Sequence, residues 1–159
     1  MIFAVDTNIL LDILIPNPDY LNSSLNCLLG INSGDELIIC EIVFAELASQ
    51  FQTLQEINHF FQETGIKIVN SNDKTLFEAS RAWKTYIEQK KGVLICPSCG
   101  KKQGLNCNFC KEEIPYRQHI LNDFLIGAHA KILADKLITR DRGFYRVYFK
   151  GLNVINSVR

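Results

Sequence analysis

A chain of 159 residues that is 47% hydrophobic suits one packed domain, since a domain of ~150 residues buries about 70% of its extended-chain surface. Seventeen Lys plus Arg balance seventeen Asp plus Glu, so the formal net charge is zero, which argues against a protein that coats nucleic acid through overall basicity. No apolar run reaches the ~18 residues of a membrane span, and "MIFAVD" has no basic leader region, so no membrane association and a cytoplasmic location are expected.

In chain order, "IFAV" (2–5) reads as a buried strand ending at Asp6. "TNILLDILI" (7–15) reads as a helix capped by Thr7 or Asn8 and closed by Pro16. A second helix follows, with Leu21, Leu25, Leu28 and Leu29 at helical spacing, and "NSGD" ends it. "ELIIC" (36–40) is a strand. Two helices follow, with Val43, Phe44, Leu47 and Phe51, then Leu54, Ile57, Phe60 and Phe61, on their apolar faces. "IKIVN" (66–70) is a third strand, and residues 72–91 form a long helix capped by Asn72 or Asp73. After a cysteine-dense patch come a helix over "RQHILNDFLIGAHAKILAD" and two last strands, "KLIT" (136–139) and "LNVIN" (152–156). Short apolar strands alternating with helices predict an α/β fold with a mainly parallel, five-stranded sheet covered on both faces.

The patch holds four of the six cysteines, as Cys96-x2-Cys99 and Cys107-x2-Cys110. Two such pairs suit tetrahedral coordination of Zn²⁺ by four thiolates, and iron takes the same ligand set. Gly100 is placed to adopt a left-handed conformation, Gln103-Gly104 offers a turn, and the second pair, "CNFCK", lacks a matching glycine. Two disulfides or a redox pair are the alternatives, both disfavoured in a cytosolic chain with paired motifs. With all four positions filled by protein, the metal would be structural. Residues 93–114 then read as a metal-binding insertion within a single domain spanning 1–159. Cys27 and Cys40 lie on apolar segments and read as core thiols.

Four acids lie where an open parallel sheet forms its sites, beyond the strand carboxyl ends. Asp6 follows strand one and Asp141 follows "KLIT". Glu46 lies on the helix after strand two, and Asp123 lies in the apolar helix "ILNDFLIGAHA", where a carboxylate is costly unless paired or metal-bound. Mg²⁺ or Mn²⁺ would relieve the repulsion among such acids and support hydrolysis at a phosphodiester. Taken singly, each acid reads as a cap or a solvated residue.

"AVDTNILLDIL", "FAEL", "ILNDFLIGAHA" and "LITRDRGFYRVYF" resemble the successive motifs of PIN-domain ribonucleases, especially the VapC-type toxins. The resemblance covers nearly the whole chain except residues 93–114. It implies a three-layer α/β/α sandwich with Asp6, Glu46, Asp123 and Asp141 as the acidic pocket. It also implies Mg²⁺ or Mn²⁺ as cofactor, RNA as substrate, products with a 5′-phosphate and a 3′-hydroxyl, a homodimer, and a small antitoxin as partner. On this reading Asp6, Asp123 and Asp141 hold the metal and Glu46 orients or deprotonates the attacking water.

Supporting roles fall to Thr7, Asn8 and Thr139, which flank the acids. Arg140, Arg142 and Arg146 are expected to hold phosphates, and Tyr145 and Tyr148 to stack on bases or pack. His119 is a candidate ligand or a surface residue, His129 is structural, and Asp12 and Asp19 are surface or cap residues. The cysteine loop is read either as a staple for the Asp123 helix or as a surface for RNA or a partner, with Lys101, Lys102 and Lys111 favouring RNA. Two rival functions remain open. One is a phosphatase with a strand-end nucleophile, which would want an acid where Asn8 stands. The other is a non-catalytic RNA- or protein-binding module using the zinc loop and the basic edge.

Overall fold

Five short strands pair into one all-parallel sheet in the computed structural model, which describes residues 1–89, 93–95, 101–104, 106–112, 119–141 and 143–156. The elements run β1 (Ile2–Val5), α1 (Thr7–Leu14), α2 (Leu21–Leu29), β2 (Glu36–Ile39), α3 (Glu41–Ala48), α4 (Leu54–Thr64), β3 (Lys67–Ile68) and α5 (Asp73–Gln89). They continue with β4 (Val93–Ile95), β5 (Lys102–Gly104), α6 (Leu121–Leu133), β6 (Lys136–Thr139), α7 (Phe144–Tyr148) and β7 (Val154–Asn156).

The sheet order is β3-β2-β1-β6-β7. β1 is central because it is apolar on both faces: Phe3, Ala4 and Val5 are all buried, as are Leu137 and Ile138 of β6 beside it. The chain moves outward from β1 through β2 to β3, then returns to β6 on the other side of β1. Right-handed crossovers therefore place α1 to α4 on one face and α5 to α7 on the other. Helix α1 packs against α2 and α3, and α5 against α6 and α7, while α3 also meets α6. The reversal of direction opens a crevice between the carboxyl ends of β1 and β6.

Two details anchor the helices around that crevice. The α6 backbone comes so close to Phe149 that a Cβ on Gly127 would lie 2.3 Å from the ring. His129, 1% exposed, places Nε2 2.7 Å from the Val69 carbonyl, tying α6 to the end of β3.

Several elements differ from expectation. Asp6, not Thr7 or Asn8, is the N-cap of α1, and its carboxylate makes no capping bond there. Of the two caps expected for α5, Asn72 takes the role, its Oδ1 accepting from the Thr75 N–H at 3.0 Å. The Asp123 helix starts at Leu121, so Asp123 sits in its first turn and not mid-helix. Helix α7 was not anticipated. Within the cysteine patch, β4 and β5 pair antiparallel, Val93 opposite Gly104 and Ile95 opposite Lys102, so Gln103-Gly104 is strand and not turn. Among the described residues no helix is long and apolar enough to cross a membrane.

Candidate active site

The end of β1 delivers Asp6 into the crevice, 5% exposed, with its N–H donating to the Ile138 carbonyl at 3.0 Å. Its Oδ2 accepts from Asn8 Nδ2 at 2.6 Å, the Thr139 hydroxyl at 2.5 Å and the Tyr145 hydroxyl at 3.2 Å. Burial pushes its pKa up to about 6 against the pull of those donors, and the Asp123 charge pushes the same way. Asn8 links the two strand ends, its Oδ1 accepting from the Arg140 N–H at 3.0 Å. Thr139 is shared as well, its hydroxyl oxygen accepting from the Asp141 N–H at 3.0 Å.

The other three acids come from three further elements. Glu46 on α3 accepts from the Thr7 hydroxyl and from Asn122 Nδ2 at 3.1 Å. Asp123 accepts the Ile120 N–H at 2.9 Å, and its Oδ2 lies 3.6 Å from His119 Nδ1. Such a first-turn carboxylate complements the helix dipole, so the burial cost expected of a mid-helix acid does not arise. Asp141 Oδ1 accepts the N–H groups of Gly143 and Phe144 at 2.8 and 2.7 Å, which starts α7. Tyr145 reports the shared field: burial and then Asp6, Asp123 and Asp141 hold its pKa well above the usual phenol value.

All four acids, with Thr7, Asn8, His119, Arg140 and Tyr145, line one cleft of about 340 Å³. A larger cleft, of about 460 Å³, lies by Asp35, Glu36 and Lys67, but both of its acids are already paired, Asp35 with the chain amine and Glu36 with Lys67.

In donor chemistry the first cleft fits a hard divalent cation: four carboxylates, hydroxyls and an amide, with a single Lys or Arg among its described lining residues. As the side chains stand, no three His, Cys, Asp or Glu of the described residues are grouped closely enough to hold a metal ion. Asp123 and Asp141 each spend one oxygen on backbone N–H groups, which leaves the other for a ligand.

Several supporting residues differ from expectation. Arg140 lines the cleft, but its Nε lies 3.2 Å from Asp12 Oδ2 and its guanidinium stands 4.4 Å from the Tyr20 ring centre. Asp12 is 3% exposed, not a surface or cap residue. Arg146 is exposed on α7 away from the cleft lining, and Arg142 lies outside the described residues. Tyr145 is 3% exposed and donates to Asp6, so its ring is not available to a base. Tyr148 takes the packing role that was one of its two readings, edge-on against Tyr86 and Phe124. His119 lines the cleft with its ring stacked on Phe144 at 4.0 Å. Asn122 was missed, although it stands directly beside Asp123.

In the cysteine patch, Cys96, Cys99 and Gly100 lie outside the described residues. Cys107 and Cys110 lie in one tight turn and form no disulfide among the described residues. The N–H groups of Cys110 and Phe109 point at the Cys107 sulfur and lower its pKa. The Lys111 N–H donates to the Cys107 carbonyl at 3.0 Å. Lys111 itself, at φ 64°, takes the left-handed conformation for which no glycine was present.

No family model matches the chain, and no curated protein matches it. Solved structures do. It is similar to a chain of VapBC2 from Rickettsia felis bound to a promoter DNA fragment, at 22% identity and a TM-score of 0.60, covering 98% of each chain. VapBC-1 from nontypeable Haemophilus influenzae is similar at 19% identity and 0.64, over 99% of this chain and 98% of that one. FitAcB from Neisseria gonorrhoeae is similar at 17% identity and 0.60, over 99% and 98%. Over nearly its whole length, the chain therefore shares the fold of these VapBC and FitAcB chains, and its five-stranded parallel sheet with flanking helices is the architecture that the sequence motifs implied.

Proposed function

We propose that this chain is a divalent-metal-dependent endoribonuclease and the toxin member of a toxin–antitoxin pair. The observation that carries the reading is the convergence of Asp6, Glu46, Asp123 and Asp141, from four separate elements, on one cleft at the sheet's reversal point. The similarity to a chain of a toxin–antitoxin complex supports the partner class, a small antitoxin. A homodimer is proposed as the assembly. A cytoplasmic location suits an enzyme acting on cellular RNA.

Asp6, Asp123 and Asp141 would hold Mg²⁺ or Mn²⁺, which when bound polarises the phosphate and makes water a stronger nucleophile at neutral pH. Asn8, Thr139 and Tyr145 fix the Asp6 carboxylate, so its charge is aimed before substrate arrives. Glu46, oriented by Thr7 and Asn122, takes the proton of the attacking water. The new bond joins water oxygen to phosphorus, and the bond to the 3′-oxygen breaks. That leaves a 5′-phosphate and, after protonation, a 3′-hydroxyl.

The test is cleavage of a mixed RNA pool with Mn²⁺ or Mg²⁺. Wild type cleaves, and both EDTA and Asp123→Asn abolish cleavage while the variant stays folded. A folded wild type that never cleaves would leave the non-catalytic binding module in its place.

Residues 93–114 are proposed to be a four-thiolate Zn²⁺ staple within one domain spanning 1–159. The N–H groups aimed at Cys107 are what a metal-bound thiolate needs to spread its charge. Purified protein should carry one zinc per chain by elemental analysis, and Cys107→Ser should remove it.

A further inference from the structure

Asp12 has no place in the proposed chemistry, yet it is a carboxylate only 3% exposed. A charge so buried needs a partner. The Ser24 hydroxyl, itself fully buried, donates to Asp12 Oδ2 at 2.7 Å. Arg140 Nε lies 3.2 Å from the same oxygen, buried and without the alignment of a hydrogen bond, so the link is coulombic. Tyr20 covers the guanidinium from another side at 4.4 Å. The Arg140 backbone is pinned by Asn8, which also holds Asp6. Three elements thus converge on one arginine: α1 through Asp12, the start of α2 through Tyr20 and Ser24, and the β6 end through the chain itself.

The arginine they hold stands at the rim of the acidic cleft, where it is the single Lys or Arg among the described lining residues. Its side chain is 29% exposed, and among the described residues its two Nη nitrogens make no hydrogen bond. A guanidinium offers two paired donor edges. Here the Nε edge faces Asp12, and the end-on Nη pair is left for a ligand. That pair matches two oxygens of one phosphate. A cleft of four acids repels a polyanion, and a fixed cation at its rim offsets that repulsion for a strand entering it.

We propose that Asp12 and Tyr20 are positioning residues that hold Arg140 as a preset clamp for a backbone phosphate of single-stranded RNA at the cleft. This rests on the ribonuclease reading. It adds what admits the substrate, and it sets apart this arginine, tied at the cleft, from Arg146, exposed on α7.

The test is binding of a short fluorescent single-stranded RNA, read by anisotropy in EDTA across a salt series. Arg140→Met should weaken binding roughly tenfold and reduce the slope of log K against log salt by about 0.7. Arg140→Lys should retain the slope and still bind weakly, because the fork is lost. Asp12→Asn, which keeps the Ser24 bond, should also weaken binding with the slope retained. The double variant Asp12→Asn with Arg140→Met should bind no worse than Arg140→Met alone. In cleavage with Mn²⁺, KM should rise more than kcat falls. Should Asp12→Asn fail to fold, Tyr20→Leu on the half-exposed side gives the same readout.

Wild-type binding by Arg140→Lys would overturn the clamp. So would an Asp12→Asn defect that persists in full without Arg140, because a merely structural aspartate behaves that way. A protein that binds through Arg140 but never cleaves keeps the clamp and loses the nuclease. Cleavage at wild-type KM by every variant keeps the nuclease and loses the clamp.

Discussion

At the scale of single residues, burial decides what each ionisable group can do. His129 lies inside the core with Nε2 on the Val69 carbonyl, and desolvation holds its pKa below the ordinary imidazole value, against the raising effects of that carbonyl and of Glu41. The neutral ring is satisfied; the cation would be buried. The folded state therefore binds fewer protons than the unfolded chain as pH falls through the unfolded pKa of about 6.5, and stability drops in that window. Urea titrations at pH 7.5 and pH 5 should show wild type losing more stability on acidification than His129→Gln, and equal losses would show that the ring does not titrate. The same distinction separates what single residues revealed from what they hid. Asp6, Thr7 and Asn8 were legible because a strand-end acid followed by polar side chains is a local pattern. Asp12 was not: what makes it buried and paired is Arg140, far along the chain and invisible to local spacing. Tyr145 showed an aromatic ring but not its direction, which the turn of α7 sets.

At the scale of elements, length governed what periodicity could reveal. The long helices α5 and α6 and the strands β1, β2 and β6 repeat their patterns often enough to be read. Helix α7 has five residues, too few to show a helical period, and tertiary packing holds it, whereas the two-residue β3 was still legible within the apolar run 66–70. The late start of α6 changed the chemistry of Asp123, because a first-turn carboxylate caps a helix where a mid-helix one would strain it. Helix α6 also carries the tightest backbone approach described above, at Gly127. Gly127→Ala gains helix propensity of up to about 1 kcal/mol. It also forces the Phe149 ring away from a Cβ that would sit at 2.3 Å, and overpacking of this kind costs about 1–3 kcal/mol. The ring is wholly buried and braced by Phe124 and Phe144, so the penalty should win. We expect a net loss of about 1–2 kcal/mol in chemical denaturation. A stabilised variant would show that the ring has room to turn.

At the scale of the whole molecule, the sheet order creates the site and the site strains the sheet. Returning from β3 to β6 puts two strand ends side by side, and the acids gathered there repel one another in a cleft where Asp6 is almost fully buried. A cation bound there would reverse that cost. A ligand that binds only the folded state stabilises it by about 2.7 kcal/mol at a hundred times its Kd. Saturating Mn²⁺ should therefore raise the Tm of wild type, in protein whose cysteine site is already filled with zinc. Asp6→Asn removes a buried charge while leaving an oxygen for Thr139 and Tyr145. Without Mn²⁺ it should melt no lower than wild type, and it should lose most of the Mn²⁺-dependent rise. Differential scanning calorimetry with and without the ion reads both effects. A rise that survives Asp6→Asn in full would place the ion elsewhere and leave the buried carboxylate with its hydrogen-bond donors alone. The opposite result would show that the acids at the reversal point weaken the empty fold and bind the ion for the same electrostatic reason.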